Sequence, residues 1–310
     1  MMNKKDKQQF YDEHCEHRQD TVRKAKPIID SEVVGVMKTV DFINDSTDHS
    51  ILFDQFAFLE ACDIWIHTSE KFKIIGLHTF PHRLVTHGIT EAFSDFYEAY
   101  TNLQVMRGEY TYHRDLGIDV LDDYKDIEDN SALIISYPFS ATGNVHPDWD
   151  RIMTLCNEKN VDVFVDCCLF GVAEVPRLDT THKCITHVAF SFSKTFGTGG
   201  MRTGMLYKRN IDKTQLEKTN AHFYTQMAGM RLHYKLIEKF SPDYMCNKYR
   251  DKQVELCKKL EIEPSDTVLF GVSNKEEYDF IKKLNADLAI VVAYGQIIPQ
   301  NFFELTKKGF

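Results

Sequence analysis

Long apolar runs are missing from this 310-residue sequence. No stretch approaches the roughly 20 consecutive apolar residues that a membrane helix needs. The basic start of the chain has no apolar stretch behind it, as a signal peptide would have. No basic block stands out from the net charge of −9, so nucleic-acid binding is not expected. The sequence predicts a protein without a membrane span and without a nucleic-acid partner.

The cysteines are scattered along the chain. The eight cysteines form no disulfide framework, and only Cys167 and Cys168 are adjacent. This usage favours a reducing compartment and predicts a cytoplasmic location. Cys15 lies close to His14 and His17, but the spacing fits no standard ligand pattern. We therefore expect no metal site, and a solvated helix near the start of the chain.

From about residue 80 onward the residue pattern is that of an α/β protein. Short apolar runs end in small or polar residues, and segments with helical periodicity follow them. A helix is predicted to start near Thr90, and residues 212–260 read as mostly helical. The clearest predicted strands are residues 132–136, 161–165 and 186–192. We expect a mixed, mostly parallel sheet with helices on both faces.

The most informative segment has a lysine directly after an apolar strand. Residues 191–204 read SFSKTFGTGGMRTG. A lysine that forms a Schiff base needs a fixed position at the rim of a sheet and a perturbed pKa. The glycines after Lys194 allow the backbone to approach a ligand closely, and Ser191 and Arg202 can bind a phosphate. A solvated lysine in a surface loop is the alternative for a lysine considered alone.

An anion site is predicted upstream of this lysine. Residues 86–92 read THGITEA and precede the helix predicted near Thr90. Backbone N–H groups at the start of a helix bind anions, which makes Gly88, Ile89 and Thr90 candidates. A plain N-cap by Thr90 is the alternative.

Two further segments carry candidate residues. Residues 108–112 read GEYTY, and Tyr110, with Tyr112 as second choice, can stack on a ring, whereas core packing is the alternative. Residues 163–166 read VFVD and place Asp166 at the end of a buried strand, where its carboxylate can pair with a ligand. A helix cap is the alternative.

In their order along the chain, these segments resemble the motifs of the class I and II aminotransferases, which depend on pyridoxal 5′-phosphate (PLP). The resemblance implies the PLP-transferase fold of type I. It implies that Lys194 is the Schiff-base lysine and general base and that Asp166 keeps the pyridine nitrogen protonated. The cofactor-binding residues that it implies are Gly88, Ile89, Thr90, Tyr110, Ser140, Asp166, Ser191, Ser193, Lys194 and Arg202.

Two positions depart from the family pattern. Residues 137–143 read YPFSATG, and Ser140 stands where the family has an asparagine that bonds the cofactor's 3-hydroxyl. Leu169 stands where the family often has a tyrosine that bonds the same oxygen. Ser140 can substitute in part because a hydroxyl can donate a hydrogen bond. We find no candidate for the arginine that holds the substrate's carboxylate, and we expect cofactor binding with impaired turnover.

The last stretch resembles a different family. Residues 285–299 read NADLAIVVAYGQIIP and are similar to a strand and turn of methionyl-tRNA formyltransferases. A generic α/β strand is the alternative, and a helix is predicted over about 275–284. The catalytic residues of that family would come after Phe310.

The predicted organisation has four parts. They are an N-terminal segment (1–75), a PLP-binding large domain (76–240), the start of an incomplete small domain (241–275) and a formyltransferase-like helix–strand fragment (276–310). We expect Phe53, Phe56, Phe58 and Trp65 to supply apolar area to a homodimer interface. Packing in the core is the alternative for the three phenylalanines.

The function that the resemblance implies is amino transfer from an amino acid to a 2-oxo acid. A PLP-dependent lyase or decarboxylase and a non-catalytic protein with the PLP fold are the alternatives. A formyltransferase-type enzyme is a further alternative, disfavoured because its catalytic residues are not found.

Overall fold

The computed structural model describes residues 27–41, 51–272 and 291–293, with only the backbone described for residues 51–54 and 291–293. The segment with His14, Cys15 and His17 lies outside these ranges. The α-helices of the described part are α1 (Ser31–Met37), α2 (Ile51–His67), α3 (Ile89–Ala99), α4 (Thr111–Asp115), α5 (Trp149–Glu158), α6 (Phe192–Thr195), α7 (Gln215–Ala221), α8 (Met227–Lys239) and α9 (Tyr244–Lys259). None of these helices is both long and apolar enough to cross a membrane.

The strands form one large sheet and two small ones. They are β1 (Ile74–Ile75), β2 (His82–Thr86), β3 (Leu103–Met106), β4 (Asp119–Leu121), β5 (Ala132–Ser136), β6 (Asp162–Cys167), β7 (Leu178–Asp179), β8 (Ile185–Ser191), β9 (Gly204–Lys208), β10 (Glu263–Pro264), β11 (Phe270–Val272) and β12 (Val291–Ala293). The large sheet has the order β2-β9-β8-β6-β5-β3-β4. Its strand β9 runs antiparallel to both neighbours, and the other neighbouring pairs are parallel. The predicted mixed, mostly parallel sheet is confirmed.

Both faces of the large sheet are buried. Leu133 and Ile135 of β5 belong to one apolar cluster, whereas Ala132 and Ile134 belong to a second one. This alternation follows from the two-residue period of a strand. Because both faces are covered, the central strands read as continuous apolar runs rather than as alternating ones. Helices α2, α5 and α8 contribute to the first cluster, and α3 and α7 contribute to the second.

Sequence patterns locate most of the central elements correctly. The strand predicted over 132–136 is β5, and those predicted over 161–165 and 186–192 are β6 and β8, each displaced by one or two residues. The helix predicted near Thr90 begins at Ile89. Near the end of the described chain, β12 pairs in parallel with β11. The domain boundaries stay predictions.

Helix α2 packs into the first cluster of the sheet. Trp65 Nε1 donates a hydrogen bond of 2.7 Å to the carbonyl oxygen of Phe240. Phe58 and Trp65 are buried in this core, so the predicted interface role is wrong for both residues, and the core alternative is the correct one for Phe58. By contrast, 61% of Phe56 and 60% of Ile64 are exposed on the same helix.

A buried ion cluster fastens α3 and α7 to the start of β8 and the end of β9. Lys208 is fully buried. Its Nζ lies 2.8 Å from Asp95 Oδ2, 2.9 Å from Asp212 Oδ2 and 2.6 Å from Glu217 Oε1. Burial raises the pKa of Asp95, and the bonds from Lys208 and Thr214 oppose that rise. Lys208 is therefore the cation that lets this group of carboxylates be buried together.

We expect Lys208→Met to lower the free energy of unfolding at neutral pH by about 3–5 kcal/mol, because it leaves buried carboxylates without their cation. The loss should shrink as the pH falls, since protonation removes the uncompensated charges. Urea unfolding at several pH values measures this. The exposed Lys218→Met on α7 is the matched control, and equal losses in the two variants would contradict the assignment.

Candidate cofactor site

The candidate side chains gather at the carboxyl edge of the parallel strands. Tyr110 follows β3, Ser136 ends β5, Asp166 lies near the end of β6, and Lys194 follows β8 directly. Ligands of open α/β sheets bind outside the carboxyl ends of the strands, because the following loops leave a crevice there. The topology thus brings together residues from segments that are far apart in the sequence.

Gly88, Ser191 and Arg202 form a cradle for an anion. Gly88 has φ +72°, and a Cβ atom there would lie 3.4 Å from Arg202 Nε and 3.4 Å from Ser191 Oγ. The cradle opens at the first turn of α3, which Gly88 precedes. Free N–H groups at that turn and a guanidinium fork both favour a phosphate.

The pairing of β9 explains why this cradle forms. Gly204 lies opposite Thr86 of β2 on one side and opposite Ser191 of β8 on the other. The hydroxyl of Thr86 is buried beside Gly204 and has no hydrogen-bond partner among the described residues. An unpartnered buried hydroxyl at this place is consistent with a polar ligand.

The other predicted anion-binding residues lie around the cradle. The side chain of Ile89 is buried in the second apolar cluster, so only its backbone can face a ligand. Thr90 is half-buried in the first turn of α3. Ser193 donates its backbone N–H to Ser191 Oγ over 3.4 Å, and the two hydroxyl oxygens lie 3.3 Å apart.

Lys194 is held on a single helical turn. Helix α6 starts where β8 ends, and Ser191 caps it. Thr195 Oγ1 donates to the carbonyl oxygen of Phe170 over 2.6 Å, which ties the turn to the loop after β6. Burial lowers the pKa of Lys194, and Arg202 lowers it further, while Cys168 and Asp166 oppose the shift. The amine is thereby more often neutral than an exposed lysine, and a neutral amine is the nucleophilic form.

Asp166 is a buried carboxyl beside that lysine. Its Oδ1 accepts a hydrogen bond of 2.7 Å from the backbone N–H of Cys168. Burial raises the pKa of Asp166 to about 6, although the bonds from Cys168 and Ser136 and the charge of Lys194 lower it. At neutral pH the carboxylate can therefore pair with a cationic ligand group.

Glu109 is a second buried carboxyl at this edge, and the sequence reasoning missed it. Its Oε1 accepts the backbone N–H of Ser136 over 2.7 Å, and its Oε2 lies 2.6 Å from the hydroxyl oxygen of Ser136. Burial raises the pKa of Glu109 to about 8, with Asp166 adding to the rise. The available signal was an acidic residue three positions after the end of β3, between Gly108 and Tyr110.

Two adjacent loops carry Tyr110 and Ser140. Gly108 has φ +103°, and a Cβ atom there would lie 2.9 Å from the Cβ of Ala141, so the two loops are in close contact. Tyr110 is 41% exposed, and its ring stacks on that of Tyr112 with centroids 5.9 Å apart. The ring is thus partly exposed and also contacts Tyr112 and His113.

Leu169 cannot donate a hydrogen bond to a ligand at this site. Its side chain is buried in an apolar cluster with Val172 and Met245, and a leucine side chain has no donor. Ser140 is half-buried and carries the hydroxyl available in its loop. In the part of the chain that the structure describes, no group of three or more His, Cys, Asp or Glu side chains is arranged to hold a metal.

A family model described as aminotransferase class I and II matches residues 97–291. The chain belongs to the aminotransferase class I and II family. Tyr110, Asp166, Lys194 and Arg202 lie within the matched range, and Gly88 precedes it. The chain is a PLP-dependent enzyme of α/β fold type I.

Several solved structures share this fold. Substrate-bound BacF from Bacillus subtilis is 13% identical with a TM-score of 0.59, over 100% of this chain and 89% of that one. Aspartate aminotransferase from Thermotoga maritima is 14% identical with a TM-score of 0.55, over 86% and 81%. A PLP-bound C-S lyase from Staphylococcus hominis is 14% identical with a TM-score of 0.52, over 78% and 73%.

A curated methionyl-tRNA formyltransferase from Pelagibacter ubique (strain HTCC1062) is 63% identical over 38 residues. The match covers 12% of this chain and 12% of that protein. It supports the predicted short resemblance to that family. A match of this length does not bring that enzyme's activity with it.

The residues present fit PLP, the cofactor of this enzyme. The cradle of Gly88, Ser191 and Arg202 suits its phosphate. The amine of Lys194 suits its aldehyde, and the buried carboxyl of Asp166 suits its ring nitrogen. A Cβ atom at Gly88 would lie between Arg202 and Ser191, and its absence leaves that space to a ligand.

We expect Gly88→Ala to weaken PLP binding roughly tenfold to a hundredfold, because backbone strain of about 1–3 kcal/mol would move the cradle. Titration of the cofactor-free protein with PLP, followed by absorbance, measures this. Gly117→Ala is the matched control, since Gly117 also has positive φ but open space around it. Unchanged affinity in Gly88→Ala would argue against a phosphate in this cradle.

Proposed function

We propose that this chain transfers the amino group of an amino acid to a 2-oxo acid. The observation that carries the proposal is Lys194, with its lowered pKa, held between the buried carboxyl of Asp166 and the cradle near Arg202. A lysine in this position can take a proton from the substrate's α-carbon and return it to C4′ of the cofactor.

The residues divide the work of holding the cofactor. Around the phosphate we place the backbone of Gly88 and Ile89 and the side chains of Thr90, Ser191, Ser193 and Arg202. Tyr110 would lie against the ring, and Ser140 would face its 3-hydroxyl. When bound, the cofactor supplies an electron sink for the charge that develops at the substrate's α-carbon.

Asp166 and Lys194 have opposite requirements for protons. Asp166 must stay ionised to hold a proton on the ring nitrogen, and it loses that charge as the pH falls through about 6. Lys194 must be neutral to act as a base, and the lowering of its pKa extends the neutral form to lower pH. Activity should therefore need a pH above the pKa of Asp166.

Turnover should be slow compared with cofactor binding. Leu169 offers no donor to the 3-hydroxyl and is buried in an apolar cluster. Ser140 supplies a single hydroxyl in its place. A less firmly oriented ring costs rate more than affinity, because misplacement by about 1 Å can reduce a rate on the order of a hundredfold.

A non-catalytic cofactor-binding protein is the second candidate, favoured by Leu169. A PLP-dependent lyase is a further one, because the same lysine and carboxylate serve several reactions and fold does not decide among them. The two are separated from a transaminase by the product. A lyase releases ammonia in repeated cycles, whereas a non-catalytic protein leaves every amino acid unchanged.

We expect borohydride to fix PLP on Lys194. Peptide mapping of the reduced protein should find the cofactor on this lysine, and Lys194→Ala should retain none after unfolding. Lys218→Ala, on the surface of α7, should behave as the wild type. Stopped-flow mixing with a panel of amino acids should then show slow conversion of the cofactor band, with one 2-oxo acid formed per chain. Modification at another lysine would overturn the assignment of Lys194.

A homodimer is part of the same proposal. Phe56 and Ile64 lie eight residues apart on α2, within one stripe of the helix, and both are exposed. Gln55 of α2 also bonds to Thr225 in the loop before α8. Exposed apolar side chains of this kind are typical of an interface. A cytoplasmic location fits the seven described cysteines, which are free thiols.

The double variant Phe56→Asp with Ile64→Asp should raise the dissociation constant of the dimer at least about tenfold, since it places charge in apolar contact area. Analytical ultracentrifugation over a concentration series measures this. Val254→Asp, an exposed apolar position on α9, is the control. A wild type that stays monomeric at high concentration with the cofactor bound would refute the dimer.

A further inference from the structure

One serine hydroxyl lies between two buried carboxyls at the carboxyl edge of the sheet. Ser136 Oγ lies 2.6 Å from Glu109 Oε2, and the side chain of Ser136 is close enough to the carboxyl of Asp166 to lower its pKa. Ser136 and Asp166 are direct partners in the pairing of β5 with β6. Glu109 reaches the same point from the loop after β3, because Ser136 also donates its backbone N–H to Glu109 Oε1.

A hydroxyl has one hydrogen to donate, so Ser136 cannot donate to both carboxylates at once. If both groups were ionised, two negative charges would be buried together with one hydroxyl donor between them. The charge of Asp166 raises the pKa of Glu109, and two like charges that share a site favour protonation of one partner. Glu109 is the partner that keeps the proton, because the charge of Lys194 lowers the pKa of Asp166. The donors to Glu109 are neutral, namely the N–H groups of Ser136 and Tyr110 and the Ser136 hydroxyl.

We propose that Glu109 is a positioning residue that holds a proton and, through Ser136, keeps Asp166 as the single charged carboxylate. Glu109 Oε2–H donates to Ser136 Oγ, and Ser136 Oγ–H donates to Asp166. One negative charge then faces the one positive charge expected at the ring nitrogen. This inference rests on the proposed role of Asp166 toward the cofactor.

The other groups around the pair fit this arrangement. Lys194 on α6 faces Asp166, and the thiols of Cys167 and Cys168 lie beside it, with burial raising the pKa of both thiols. Tyr97 on α3 is also near Asp166, and its hydroxyl is hydrogen-bonded to His113 Nδ1 over 2.6 Å. Burial lowers the pKa of His113 to about 4, so it is neutral at the pH where Glu109 titrates.

Ionisation of Glu109 would reverse the direction in which the Ser136 hydroxyl donates its hydrogen bond. Ser136 would then donate to Glu109, and Asp166 would lose a donor and gain a charged neighbour. The extra negative charge favours the protonated forms of the groups near it, Lys194 among them. The pH dependence of the whole site is thereby coupled to Glu109, with a step near pH 8.

The first test needs no cofactor and no substrate. Infrared spectra of the full-length, cofactor-free chain should show the carbonyl band of a protonated carboxyl that disappears as the pH rises through about 8. Glu109→Gln should lack this component. Ser131→Ala should keep it, since Ser131 is a buried serine next to the opposite end of β5. A wild type without such a titrating band overturns the proposal.

The pH dependence of the free energy of unfolding is an independent test. The pKa of Glu109 is raised in the folded protein from 4.5 to about 8, so ionisation at higher pH works against folding. The wild type should lose stability relative to Glu109→Gln as the pH rises from 4.5 through about 8. A pH-independent difference between the two would mean that Glu109 is only a packing residue.

The second test uses the chain loaded with PLP. The visible band of the wild type should show a titration step near pH 8. Glu109→Gln should lose this step. Ser136→Ala should reduce it by at least about half, because it removes the hydroxyl between the two carboxyls. Ser131→Ala should match the wild type. A step that survives unchanged in Glu109→Gln refutes the coupling, whether or not the protein turns over an amino acid. If Glu109→Gln does not fold, Ser136→Ala and the wild-type infrared titration decide.

Discussion

The ladder that holds β9 between β2 and β8 is the constraint on which the site depends. It places Gly204 opposite Thr86 on one side and opposite Ser191 on the other. A Cβ atom at Gly204 would lie only 2.2 Å from the carbonyl oxygen of Phe190, so the close approach of these strands requires a glycine. The start of α3 and the turn that carries Lys194 are therefore fixed relative to each other by backbone hydrogen bonds.

The polar groups at this edge are organised by burial rather than by exposed charge. Asp166, Glu109 and Lys194 are each shifted toward their neutral forms by desolvation, and each has at least one partner that opposes the shift. The pKa values that result are about 6 for Asp166 and about 8 for Glu109, so both carboxyls can exchange protons near neutral pH. The arrangement suits chemistry in which a proton must be both taken and returned.

The sequence was sufficient for the central strands and for the residues that follow them. Apolar runs bounded by polar residues located β5, β6 and β8, because a strand buried on both faces has few other compositions. Lys194 and Asp166 were identifiable since each directly follows or ends such a run. Glu109 was not, because its role depends on Ser136 and Asp166, which lie 27 and 57 residues further along the chain. The burial of Trp65 was likewise beyond local patterns, since its partners Phe170 and Phe240 come from distant segments.

The bond between Trp65 and the carbonyl of Phe240 spans 175 residues of sequence. Helix α2 cannot complete its contacts in the core until the chain has been synthesised to the end of α8. Non-local contacts of this kind slow folding, because a long loop must close before the contact contributes. Until then the part of α2 that packs against α8 stays exposed on the nascent chain, where it can associate with other chains or with a chaperone. The yield of folded enzyme in a cell should therefore be limited by the time between the synthesis of α2 and that of α8.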